Sequence, residues 1–358
     1  MFSRNLLRAT ALLPFLYSTT SAQNACNNSP DLCSRAYNNI TYLGAHDSPF
    51  LRNADTSFST SGNHYYNTTV QLDAGVRLLT AQVHQANDSG TDAWHLCHSS
   101  CDLLDAGTLE SWLSEIKTWM DANTNDVVTL LLVNSDKASP SDLGSIFSSS
   151  GIDTLAYTPP STEFLPQTWP TLDALIGNNT RLMTFVAPLG APSTEYPYLM
   201  DEFTFIFENA YENDHPSNYS CNPDRPASLG TPSAALESGR MFLMNHFLYQ
   251  TQLFGIQSPN ETYANVTNAQ SGFGSLGVGV AECSNVYGKA PNFVLVDFFN
   301  VGPAIASVDM ANGIDGAVSG RMEVSTAPLI QSTGAGVRER GSLVAVVLAV
   351  GVAVALGA

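Results

Sequence analysis

The sequence predicts a single, irregular (β/α)8 barrel, a TIM barrel, and three observations point there. Eight short apolar runs of strand character occur between residues 40 and 298. Most are continuous rather than alternating, as suits strands buried on both faces of a parallel sheet. Helical patterns lie between several of them. No internal repeat and no Pro/Gly-rich linker divides the region, so one core is expected.

The first run, 40–44, leads into Gly44-Ala45-His46-Asp47-Ser48. The second, 76–83, passes Gln82 and ends at His84. The third, 93–97, is followed by His98. The fourth, 127–133, ends in Asn134, Ser135 and Asp136, with Lys137 next. The fifth is 181–187, and the sixth, 203–207, ends in Glu208 and Asn209. The seventh, 241–248, holds Asn245 and His246, and the eighth, 293–298, carries Asp297.

Between the strands, Leu109, Trp112, Leu113, Ile116, Trp119 and Met120 recur at helical spacing, with Glu110 in the first turn. Ser139-Pro140 reads as an N-cap followed by proline at the first helical position, with Leu143, Ile146 and Phe147 as the apolar stripe. A helix over 171–176 stops at Gly177, and another over 302–310 follows the last strand. The barrel is irregular because 93–97 follows 76–83 with no room for a full helix. Stretches 209–233 and 249–289 are rich in Gly, Asn, Pro and Ser and read as loops or short helices walling a cleft.

The 358 residues are 44% apolar and 13% charged, which excludes a disordered chain. The net charge is -18, with lysines only at 117, 137 and 289, so no nucleic-acid partner is expected. Arg4 and Arg8, the apolar run 11–17 and a small-residue end at Ala22 read as a signal peptide over 1–22. The barrel is placed at 23–325 and a linker at 326–342. The uninterrupted apolar tail 343–358, the polar spacer 337–342 and the small residues Ser332, Thr333, Gly334, Ala335 and Gly336 form a GPI-attachment signal. Ser332 is the expected attachment residue, though Gly334 and Ala335 also fit. A secreted, GPI-anchored, monomeric protein on the outer leaflet of the plasma membrane or in the cell wall is therefore expected.

Eight Asn-x-Ser/Thr sequons, at Asn27, Asn39, Asn67, Asn87, Asn178, Asn218, Asn260 and Asn265, agree with a glycosylated surface. Six cysteines in an oxidising compartment predict disulfides. The proximity of Cys26 to Cys33 and of Cys97 to Cys101 suggests local pairs and leaves Cys221 with Cys283, although spacing alone does not settle connectivity.

A parallel barrel carries its active site at the carboxyl ends of its strands. His46, His98 and Asp297 each fall at such an end, on three different strands. Two histidines suit a general base and a general acid on either side of one reacting atom, because imidazole titrates near neutrality. A carboxylate beside the base holds its tautomer. His64 and His215 lie in polar loops and are read as ordinary polar residues.

From His46-Asp47-Ser48 onward the chain resembles the phosphatidylinositol-specific phospholipase C X-domain superfamily, and within it the secreted fungal PLC-like phosphodiesterases. Ile40-Thr41-Tyr42-Leu43-Gly44-Ala45-His46-Asp47-Ser48 is similar to the family's first-strand motif, and Leu72-Asp73-Ala74-Gly75-Val76-Arg77 to its second. Leu96-Cys97-His98 matches the position of the second catalytic histidine, and Phe293-Val294-Leu295-Val296-Asp297 resembles the last strand. The resemblance implies His46 as the base that deprotonates the attacking hydroxyl and His98 as the acid that protonates the leaving alkoxide. It implies Asp297 as the partner of His46, and Asp47 as part of the network around the leaving group. The implied substrate is a phospholipid or another phosphodiester, cleaved in lipid metabolism without a metal or other cofactor.

Two departures stand out. The bacterial, metal-free branch has an arginine where this chain has Gln82. The calcium-dependent branch has carboxylates where it has Thr80 and Gln82, and neither replaces a charged oxygen ligand. A cation could come from elsewhere, with Arg52 and Lys137 as candidates. Gln82, His84, Glu208, Asn245 and His246 are the candidate polar contacts to a headgroup. The alternative is a catalytically inactive cell-surface barrel that binds a glycan or lipid headgroup. A metal-dependent glycerophosphodiesterase-like or sphingomyelinase-D-like barrel needs a Glu-x-Asp pair where this chain has Thr80-Ala81-Gln82, so it ranks last.

Overall fold

The structure, a computed structural model, describes residues 25–329 apart from 89, 90, 253, 254 and 317. The signal peptide 1–22, Ser332 and the tail 343–358 lie outside the described residues.

The strands in chain order are β1 (Tyr42–Ala45), β2 (Leu78–Asp88), β3 (Thr91–Cys97), β4 (Asp105–Thr108), β5 (Val128–Asn134) and β6 (Leu182–Ala187). They continue as β7 (Leu199–Asp201), β8 (Ile206–Glu208), β9 (Met241–Asn245), β10 (Tyr249–Thr251), β11 (Gln257–Pro259) and β12 (Phe293–Val296). The helices are α1 (Thr68–Ala74), α2 (Leu109–Ala122), α3 (Pro140–Ser150), α4 (Leu172–Gly177) and α5 (Glu202–Phe205). After them come α6 (Pro232–Glu237), α7 (Ala264–Thr267), α8 (Leu276–Tyr287) and α9 (Ala304–Ala311).

Eight strands form one curled parallel sheet in the order β7-β6-β5-β2-β1-β12-β9-β8. The first and last strands of the barrel segment sit side by side, with Tyr42 opposite Phe293 and Ala45 opposite Val296. Among the described residues no ladder joins β7 to β8, so the curl is a TIM barrel left open at that seam. The run at 93–97 does not belong to the barrel. It is β3, antiparallel to β2 in a hairpin that rises past the rim, with β4 beyond it. The separation explains this, because a parallel crossover needs a dozen or more residues and a hairpin needs only a few. The missing barrel strand is β7, a three-residue segment too short to stand out in the sequence. The run at 203–207 divides into the single turn of α5 and the strand β8.

The helices follow local chemistry. Thr108 caps α2, whose buried residues are the six predicted from spacing. Ser139 and Asp142 form a reciprocal capping box at the start of α3. Among the helices the spacing did not predict are α1 and α6, and the longest is α8. Residues 276–287 form α8, capped by Ser275, and Cys283 on it is bonded to Cys221. Cys26–Cys33 and Cys97–Cys101 are the other two disulfides.

Strand side chains separate into two cores. Leu43, Ala45, Leu79, Ala81, Val83, Val294 and Val296 pack under α1, α2, α8 and α9. Tyr42, Leu78, Leu131, Phe185, Leu243, Phe293 and Leu295 fill the inside of the curl. Gly44 lies on the inside, where an added Cβ would stand 2.8 Å from both Leu295 Cδ1 and Leu78 Cδ2. That close approach explains a glycine at this position.

Candidate active site

The two-residue period of a strand carries the inward direction up to the rim. Inward Gly44 is followed by His46, Leu78 by Thr80 and Gln82, and Leu295 by Asp297. Likewise Leu243 is followed by Asn245 and Phe247, and Ile206 by Glu208. Five strands thus deliver polar residues to one end of the barrel.

His46 Nδ1 lies 2.9 Å from Asp297 Oδ1. The Asn63 amide donates to the same oxygen, also at 2.9 Å. With its Nδ1 proton on Asp297, His46 presents the Nε2 lone pair, and Nε2 stands 3.7 Å from Asp47 Oδ2. His98 Nε2 lies 3.7 Å from that same oxygen. Gln82 Nε2 donates to it at 2.6 Å, and Gln82 Oε1 accepts from the Ser99 backbone at 2.9 Å. The ring of His46 is stacked on Phe247 with centroids 3.7 Å apart, and Phe50 meets His98 edge-on. His46, His98, Asp297, Asp47 and Gln82 are therefore one cluster.

His98 reaches it from the hairpin rather than from a barrel strand. His46 is 8% exposed and His98 only 4%.

Burial by itself would push His46 down, but Asp47 and Asp297 outweigh it and hold the imidazole above its usual value. His98 moves the other way. Burial pushes it down, the charge of Asp47 compensates only in part, and His46 adds to the lowering.

His46, Asp47, Gln82 and Ser99 border a cavity of about 300 Å³ that extends to Glu202, Glu208, Tyr211, Arg225, Asn245, Phe247 and Tyr249. That volume sits near the lower limit of small-molecule sites, about 300 Å³. At its far end Glu208 accepts from Arg225 at 2.6 Å and from the Asn245 amide at 2.9 Å. The Arg225 guanidinium lies 4.3 Å from the centre of the Tyr211 ring. Burial and the neighbouring Glu208 hold the Glu202 carboxyl well above the usual range. For Glu208, burial is overcome by Glu202, Arg225 and Asn245, and it lies below its usual value.

Several candidates stand elsewhere. Arg52 is 3.2 Å from Glu261 and does not border the cavity. Lys137 is exposed in the turn after β5 and does not border it either. Arg225 is the one arginine or lysine in its lining among the described residues. It was missed because it lies in a loop with no periodic pattern. His84 sits beyond the rim, 3.4 Å from Asp136, in a separate cleft. His246 faces away from the barrel interior, stacked on Tyr219 with Nε2 3.1 Å from the Thr267 carbonyl, and burial pushes it down to about 4. His64 is not an ordinary loop residue. It is fully buried, with Nε2 2.8 Å from the His46 carbonyl oxygen. Asn63 beside it orients Asp297, and no sequence pattern marks it.

Comparison with known proteins gives the same outline. The family model for PI-PLC X 1 matches residues 32–312. The chain belongs to the PI-PLC X family. A PI-PLC X domain-containing protein 1 from Arthroderma benhamiae is 37% identical over 82% of this chain and 92% of its own length. An uncharacterized secreted protein from the same organism is 38% identical over 79% of this chain, which spans 62% of that protein. Among solved structures, the phosphatidylinositol-specific phospholipase C from Listeria monocytogenes covers 82% of this chain and 98% of its own, with a TM-score of 0.52 and 13% identity. An enzyme of that name from Staphylococcus aureus, in its F249X mutant form, covers 81% and 99%, with a TM-score of 0.52. At such identities the likeness shows the fold, a TIM barrel, and no more.

Proposed function

We propose that this chain is a phosphodiesterase of the phospholipase C-like class. The observation that carries the reading is the placement of His46 Nε2 and His98 Nε2 at 3.7 Å from one Asp47 oxygen, beside a cavity able to hold a polar headgroup. His46 takes the proton of the attacking hydroxyl. In an inositol lipid this is the ring hydroxyl next to the phosphate, and its oxygen bonds to phosphorus to give a cyclic phosphodiester. The bond from phosphorus to the glycerol oxygen breaks, and His98 protonates the departing alkoxide. Each transfer contributes roughly 10²–10⁴-fold. Asp297 and Asn63 hold His46 in the tautomer that leaves Nε2 free.

Arg225, Glu208, Asn245 and Tyr249 are the headgroup contacts in this reading. Asp47 and Glu208 leave little room for further anionic charge, so the substrate carries a single phosphodiester and no additional phosphates. Secretion and a GPI anchor at Ser332 place the enzyme against the outer leaflet, where such lipids would reach it. The leader and tail, three disulfides and the secreted relative support that placement.

The test is incubation of the mature ectodomain with phosphatidylinositol vesicles, followed by phosphorus NMR of the water-soluble product. A cyclic inositol phosphate is expected. The inactive, headgroup-binding barrel is favoured by one observation. Gln82, where the bacterial branch has an arginine, is fully engaged by Asp47 and Ser99. Saturable headgroup binding with no product from any phosphodiester would select that reading.

A further inference from the structure

A second cluster lies on the β2–β3 hairpin and has no part in the chemistry above. His84 and His95 are directly opposed cross-strand partners. Their side chains therefore leave the same face, with Cβ atoms about 4.5–5.5 Å apart. His84 Nδ1 lies 3.4 Å from Asp136 Oδ2, and His95 Nδ1 lies 3.0 and 3.1 Å from the two Asp105 oxygens. On each ring the Nε2 atom is buried and has no hydrogen-bond partner among the described residues. His95 as a whole is only 7% exposed. Both rings border one cleft of about 590 Å³, together with Asp102, Asp105 and Asp136, and no lysine or arginine lines it among the described residues.

An imidazole whose Nδ1–H is held by a carboxylate is oriented and keeps its lone pair on Nε2. This is the arrangement found behind metal-bound histidines. Here Asp105 holds His95 in this way, Asp136 stands 3.4 Å from Nδ1 of His84 on the paired strand, and both Nε2 atoms are unsatisfied. We infer that His84 Nε2 and His95 Nε2 are ligands of a divalent transition-metal site that takes zinc or copper. Imidazole nitrogen suits zinc and copper, whereas calcium and magnesium take oxygen ligands. Water is the donor available for the remaining positions. The acidic lining offsets the charge of the ion. The segment that follows β3 carries His98 and Ser99, so an ion here would tie the hairpin down next to the catalytic cluster.

The experiment uses the full mature chain without a histidine tag, stripped with chelator and then freed of it. Zinc is titrated by calorimetry, and copper(II) is added separately for electron paramagnetic resonance. One zinc per chain is expected, with hyperfine coupling from two nitrogens in the copper spectrum. A His84→Ala/His95→Ala variant loses the site, while a His46→Ala/His98→Ala variant keeps it. Asp105→Asn and Asp136→Asn each weaken zinc by about 10–100-fold. If the double variant of the hairpin fails to fold, the copper spectrum of the unmodified chain and the two Asp→Asn variants decide. No saturable zinc binding, binding that survives loss of His84 and His95, or binding that disappears only with His46 and His98 overturns the inference.

Discussion

Replacing Asp297 by asparagine removes the negative charge beside His46 Nδ1 while keeping the shape of the side chain. The bond that loses its charge is 2.9 Å long and joins two groups that are 8% and 6% exposed, so solvent screens it little. A hydrogen bond to a charged group contributes about 1.5–3 kcal/mol, which is about 10- to 150-fold in rate. The substituted amide has two orientations, and Asn63 selects between them. Its Nδ2 sits 2.9 Å from the same Asp297 oxygen and needs an acceptor there. The new carbonyl therefore faces His46, the Nε2 lone pair is kept, and the loss stays within that range. Asp297→Ala removes orientation as well and costs more.

The pH profile carries a second signature. In the proposed mechanism the productive form has His46 neutral and His98 protonated, yet the site holds His46 above and His98 below the usual value. The alkaline limb of kcat/KM then follows the higher of the two, His46, and the acid limb follows His98. Burial lowers His46 while Asp47 and Asp297 raise it, so Asp297→Asn moves the alkaline limb to lower pH. The assay is the initial rate of soluble headgroup phosphate release from lipid vesicles across pH, with circular dichroism as the folding control. An unchanged kcat/KM with an unchanged alkaline limb would refute the reasoning.

Three further outcomes follow from the same geometry. Arg225→Gln removes a cation from the cavity lining and lowers kcat/KM by about 10- to 150-fold, read in the same assay; an undiminished rate would remove Arg225 from the headgroup end. Glu202 is held protonated in the fold by burial and Glu208, so its contribution to stability is lost as pH rises above its ordinary value. Glu202→Gln therefore narrows the drop in melting temperature between mildly acid and alkaline buffers, and an identical drop would contradict this. His246 is neutral in the fold down to about pH 4, whereas the unfolded chain takes up its proton near 6.5. Stability thus falls as pH drops through that window, by about 3 kcal/mol for this group. Denaturant titrations of His246→Gln at pH 6.5 and pH 4 should show a correspondingly smaller loss, and an equal loss would count against it.

Much of the site was legible because strands speak in a period of two. His46, Gln82, Glu208, Asn245 and Asp297 each continue an inward row of apolar residues, so finding the strands located the polar rim. The same rule, applied strictly, rejects His246, one residue out of phase with Asn245. His98 was found for a different reason than the one first apparent. Its strand is a hairpin partner folded back over the barrel, and its place beside Asp47 comes from that turn. Arg225, Tyr211 and Asn63 were not legible. They arrive from loops whose paths are set by long-range contacts, such as the Glu208–Arg225 pair, and no local pattern encodes those. Strand β7 escaped because three residues cannot show a period. Helix α8 escaped because its Gly- and Ser-containing sequence reads as loop until the Cys221–Cys283 bond and the packing of Leu276, Val280 and Tyr287 hold it against the barrel.

The account rests on two imidazoles working on one phosphorus atom. Its most direct test is turnover of phosphatidylinositol by the ectodomain beside its His46→Ala and His98→Ala variants, all three verified as folded. The account predicts product from the unmodified chain and a loss of roughly 10²–10⁴-fold in each variant. Turnover at the unmodified rate in either variant would contradict it.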